Sequence, residues 1–101
     1  MYGPRPAGFW ARASAAKPFK HLVPGQRYAV TRPFIDYDGD AHPLGETWWY
    51  RGYNYSAYDS GLSLFVSVDG KDEWHIRLED RDGGQLEVVR ALEQYLTPVL
   101  A

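Results

Sequence analysis

The chain contains no cysteine and only one methionine in 101 residues. Without thiols there is no disulfide, no thiolate metal site and no cysteine nucleophile. Long apolar runs are also missing, and none approaches the ~20 residues that a membrane-crossing helix needs. The first twenty residues, interrupted by Pro4, Pro6 and Pro18, lack the continuous apolar stretch of a signal peptide. A cytoplasmic protein without membrane contact is the default expectation. Acids are absent from the first third. Residues 1–35 carry +6 with no acid, whereas residues 36–101 carry 13 acids against five bases, a charge of −8. The six leading bases are spread out and never form a run, and so acidic a body repels phosphate, which disfavours nucleic acid as a partner. Gly83-Gly84 is not followed by the Lys-Ser/Thr of a phosphate-binding loop. No serine sits in a nucleophile elbow.

Aromatic residues, by contrast, make up 16% of the chain. That is high for the length, and rings give a small core a large buried area per residue. They concentrate between Trp48 and Trp74, where the pattern has period two. Trp48 and Tyr50 should face one side of a strand, and Thr47, Trp49, Arg51 and Tyr53 the other. Leu62, Leu64, Val66 and Val68 alternate with Ser63, Phe65 and Ser67. Asp69-Gly70 is a hairpin signal, and Trp74, Ile76 and Leu78 alternate with His75 and Arg77 on the returning strand, which puts His75 opposite Trp74, where it can line a shallow groove. From Gln85 the period becomes helical: Val88, Val89, Leu92, Tyr95, Leu96 and Val99 share a stripe, closed by Pro98.

These patterns predict a basic Pro/Gly/Ala-rich leader over residues 1–21, poorly ordered apart from a turn around Ala11–Lys17. Phe9 and Trp10 are its anchors, free to dock on the domain or on a partner. Residues 22–101 should form one mainly β domain with a C-terminal α-helix: a small antiparallel, strongly bent sheet or SH3-like barrel capped by the helix. The order of strand, acidic loop, aromatic strand and hairpin resembles SH3-like barrels, and Ile35-Asp36-Tyr37-Asp38 with Gly45-Glu46 is similar to an SH3 opening. The SH3 pattern places its paired Trp on a later strand, whereas Trp48-Trp49 follows Gly45-Glu46 directly.

A second resemblance is carried by blocks in fixed order: Asp36-Tyr37-Asp38-Gly39-Asp40, His42-Pro43, Gly45-Glu46-Thr47-Trp48, Asp59-Ser60-Gly61-Leu62 and Trp74-His75-Ile76-Arg77-Leu78. Together they resemble a family of small, uncharacterised bacterial proteins, a domain of unknown function, over about Leu22 to Leu96. The resemblance implies no substrate, cofactor or catalytic residue.

Asp36, Asp38 and Asp40 open like a calcium loop, but an EF-hand needs Gly at its sixth position and Glu at its twelfth. Ala41 and Thr47 stand there, so Asx-type turns that cap loop amides are the better reading, and neither a metal nor another cofactor is expected. His42, close to these acids, is the best general-base candidate, yet nothing nearby completes a catalytic set. A non-enzymatic protein-interaction or regulatory module is therefore expected, with a protein or peptide partner bound on an acidic, aromatic surface of Trp49, Tyr53, Tyr55, Tyr58, Asp38, Asp59 and His42. A toxin-immunity or inhibitor protein and a small-ligand or carbohydrate-binding domain are the alternatives. The competing possibility is that the terminal helix covers this face and makes its rings core.

Overall fold

The computed structural model describes residues 1–100. Its strands are β1 (Tyr2–Arg5), β2 (Arg27–Val30), β3 (Phe34–Ile35), β4 (Ala41–His42), β5 (Thr47–Ser56), β6 (Gly61–Ser67), β7 (Glu73–Glu79) and β8 (Leu96–Pro98), with short helices α1 (Leu86–Arg90) and α2 (Leu92–Tyr95) before β8. Six strands form one antiparallel sheet in the order β1-β7-β6-β5-β2-β8, and β3 and β4 form a separate hairpin. The protein is mainly β, with a small antiparallel sheet. The sheet has two free edges, β1 and β8, so no closed barrel forms among the described residues. Each edge strand is short and contains a proline, Pro4 or Pro98, which blunts it against further strand pairing.

Period-two alternation places the core as expected except at Val68, which lies beyond β6 and is exposed. Trp48, Tyr50, Leu62, Leu64, Val66, Ile76 and Leu78 are buried on one face of the sheet. Leu22, Tyr28 and Val30 complete that layer, and the C-terminal segment closes it with Val88, Val89, Leu92, Tyr95 and Leu96. At roughly 2 kcal/mol per buried apolar side chain, those five contribute on the order of 10 kcal/mol before ordering costs. That is comparable to the net stability of a whole domain.

The predicted single helix is divided. Ala91 leaves helical geometry at φ −114° and ψ 38°, and Leu96 to Pro98 extend to pair with Val30, Ala29 and Tyr28 of β2. Thr97 precedes proline, which disfavours the α conformation there, and the unpaired side of β2 offers ladder partners that a helix could not use. The hairpin at Asp69-Gly70 forms, although its loop is longer than two residues. Gly70 adopts φ 79°, and the Asp69 carboxylate accepts from the Lys71 and Asp72 amides at 2.9 Å each. Those two bonds hold the Asp69 carboxyl below the usual carboxylate range.

The leader departs most from expectation. Rather than being poorly ordered, it forms β1 against β7 and then crosses the outer face of the sheet. Trp10 lies parallel to Phe65, with centroids 6.4 Å apart. The buried Glu73 carboxylate accepts from the amides of Gly8, Trp10 and Ala11 at 2.9–3.1 Å. Burial alone would raise its pKa, but these three bonds outweigh that and hold it low. Farther along, the Ala15 carbonyl accepts from Tyr53 N–H at 3.0 Å. At Gly52 a Cβ would lie 2.1 Å from that same carbonyl. Only glycine lets the leader backbone come so close.

Candidate functional site

In the Asp36–Glu46 segment, Asp36, Asp38, His42 and Glu46 all have partners within the protein. Asp36 is buried, and its Oδ1 accepts from the Asp38 and Asp40 amides at 3.0 Å each, closing the turn. His42 is also buried and lies against the Phe34 ring. Its Nε2 is 2.8 Å from Asp36 Oδ2, and its Nδ1 is 2.5 Å from Glu46 Oε2. Trp48 Nε1 donates to the same Glu46 oxygen. Burial would lower the His42 pKa, but the bonds to Glu46 and Asp36 outweigh it and the net shift is upward. Both ring nitrogens face carboxylate oxygens, an arrangement that favours the protonated ring. Buried and with both ring nitrogens engaged, His42 is not a surface contact. The expectation that placed it on the binding surface is corrected. Asp38 is engaged too: it clamps Arg77, with Nη2 to Oδ1 at 2.5 Å and Nε to Oδ2 at 3.1 Å. The Arg77 bond holds the Asp38 carboxyl below its ordinary range. Among the described residues, no cluster of His, Asp and Glu is arranged to hold a metal ion.

Trp49 and Tyr53, expected on one face, lie on opposite faces. The β5–β6 register shifts between Tyr50 and Gly52, and this bulge at Arg51 inverts the alternation beyond it. Trp49 stays on the outer face, half-buried, with the Arg27 guanidinium 4.8 Å above its ring. Tyr53, now opposite Leu64, turns toward the core and packs on Phe19 with centroids 4.7 Å apart. Both rings are engaged by the fold. The terminal helices cover the core face, and it is the leader that occupies the outer one.

What remains open is the end of the sheet at the β5–β6 turn. Tyr55 is 41% exposed and Tyr58 is fully exposed at the β5–β6 turn. Asp59 caps this turn, its Oδ1 accepting from Gly61 N–H at 3.0 Å. Beside the turn is a groove of about 270 Å³ over β5, β6 and β7, lined by Asn54, Asp59, Ser63, His75, Arg77 and Glu79 and edged by Tyr37. The cross-strand pairs Asn54–Ser63 and Ser63–Arg77 bring three of these side chains into one row. Arg77 is fixed between the rings of Tyr2 and Tyr37, 5.1 and 5.2 Å from their centroids. His75 lies in contact with Trp10, Tyr2 and Phe65. Burial, with Arg77 adding to it, pushes the His75 pKa down to about 4, so the ring is neutral at pH 7. Period-two reasoning located His75 on this face and Asp59 and Tyr58 in the turn. Alternation also puts Ser63 and Arg77 on this face without marking them as site residues, and it missed Tyr37 and Asn54, whose proximity depends on strand register and on the β3–β4 hairpin folding over β7.

The family model described as a domain of unknown function (DUF3601) matches residues 14–100. The chain belongs to that family. The DUF3601 match includes the groove, the β5–β6 turn and the charged hairpin, and excludes β1 and Trp10. The integron cassette protein VCH_CASS4, from the mobile metagenome of Vibrio cholerae, has a solved structure similar to this one. The two share 33% sequence identity over 87% of this chain and 97% of that one, with a TM-score of 0.82. No curated protein matches. No helix among the described residues is long and apolar enough to cross a membrane.

Proposed function

We propose that this DUF3601 domain is a non-enzymatic interaction module that binds a protein or peptide through the β5–β6 turn. The observation that carries this reading is Tyr58, a large ring left fully in water at a turn tip, with Tyr55 and Asp59 beside it. Tyrosine loses little conformational freedom on docking and is enriched at interface cores. Asp59, Glu79 and Asp80 lie at this end, which favours a partner with a basic surface and a salt-dependent on-rate. The engaged geometry of His42 argues against acid–base chemistry in the charged hairpin.

Replacing Tyr58 with a photo-crosslinking aromatic residue should trap such a partner in a host extract. The purified partner should then bind the Tyr58→Ala protein at least tenfold more weakly than the parent, a hot-spot-sized loss. Equal affinity of the two proteins for that partner would refute the proposal.

A further inference from the structure

The groove beside the turn has a chemistry of its own. Asn54, Ser63 and His75 make no side-chain hydrogen bond within the protein among the described residues, although they line a common cavity. Arg77 spends Nε and Nη2 on Asp38 and the Tyr2 hydroxyl, which leaves Nη1 without a protein partner. Asp59 uses only Oδ1 for its turn. The lining therefore offers donors (the Asn54 amide, Arg77 Nη1) and acceptors (Asp59 Oδ2, the Asn54 carbonyl) around one cavity. The Ser63 hydroxyl and the neutral His75 ring can act either way.

That mixture discriminates among guests. A lysine or arginine side chain only donates and would leave Arg77 and the Asn54 amide unpaired. A phosphate or carboxylate only accepts and would meet Asp59 and Glu79 head-on. A ring bearing hydroxyl groups both donates and accepts at every position, carries no charge, and can lay an apolar edge against Tyr37. The size agrees: about 270 Å³ falls just below the range of drug-sized pockets and suits one ring rather than a chain. We infer that the groove is a binding site for a neutral polyhydroxylated ring, that is, a single hexose unit. Tyr58, the ring that carries the partner reading, does not line this groove, although Asp59 and Glu79 border both surfaces.

Amide shifts of the isotopically labelled protein would be followed during titration with glucose, galactose, mannose and N-acetylglucosamine. At least one should give saturable shifts at Asn54, Ser63 and Arg77, with a Kd on the order of 1 mM for so small a ligand. Ser63→Val and Asn54→Ala should each weaken that binding tenfold or more while the melting temperature stays unchanged. Tyr58→Ala should bind the sugar normally, so failure of the partner reading and failure of this one are distinguishable. No saturable shift with any of the four sugars would overturn the inference. So would sugar shifts that persist in both groove variants, or saturation by N-acetyl-arginine amide in place of the sugars.

Discussion

The two faces of the main sheet are closed by different means. The core face is sealed by apolar side chains from the far end of the chain. The outer face is only partly covered. The leader seals the β1 side through one stacked Trp and one buried carboxylate, and the other side is left as polar groove and tyrosine-bearing turn. The same comparison runs through the two histidines. His42, beneath the hairpin, is bridged by Asp36 and Glu46, which favour its protonated form. His75, beneath the leader, is held neutral by rings and by Arg77. A face closed by many apolar contacts loses stability at every truncation. A face closed by a few anchors can lose its cover locally while the sheet persists.

The largest effect should come from the core face. Leu92 is completely buried, and Leu92→Ala should cost about 3 kcal/mol in chemical denaturation, as cavity-forming substitutions do. A loss below about 1 kcal/mol would mean that the C-terminal segment is not part of the core. On the outer face, Glu73→Ala should cost about 2 kcal/mol, because three amides lose their acceptor. Hydrogen exchange should speed up at Gly8, Trp10 and Ala11 well before it does in β5 and β6. Uniform acceleration throughout the sheet would show that the two faces are not separable. Tyr58→Ala, at the open end, should change stability by less than about 0.5 kcal/mol. A drop well beyond that would make Tyr58 a structural ring.

The core strands were legible because alternation is a local property: Trp48, Tyr50, Leu64 and Ile76 announce their face by spacing alone. Spacing alone puts Trp49 and Tyr53 on one face, but a single bulge at Arg51 reverses the alternation beyond it. Gly52 did carry a signal. An isolated glycine inside an aromatic strand indicates that another backbone passes close by, and here that backbone is the leader at Ala15. The Asx turn at Asp36 was readable from the failed calcium pattern. The His42 bridge to Asp36 and Glu46 was not, since it depends on the hairpin bringing both carboxylates to one ring. The C-terminal stripe has helical spacing throughout, so the end of the helix at Leu96 follows from the free side of β2 and from Pro98, a tertiary effect imposed on a helical pattern.

The pH response should separate the two regions. His42 has a raised folded pKa, so the stability it contributes is present below its unfolded value near 6.5 and is lost as pH rises through the folded value. For His75 the folded value is depressed. The unfolded chain takes up a proton first, and stability falls as pH drops from about 6.5 toward about 4. The most direct test is a residue-resolved NMR titration of the two imidazole rings in the intact protein. His42 should remain protonated above pH 6.5, and His75 should stay neutral until about pH 4. If both rings titrate together near pH 6.5, neither the charged hairpin nor the leader's cover over the outer face exists as described.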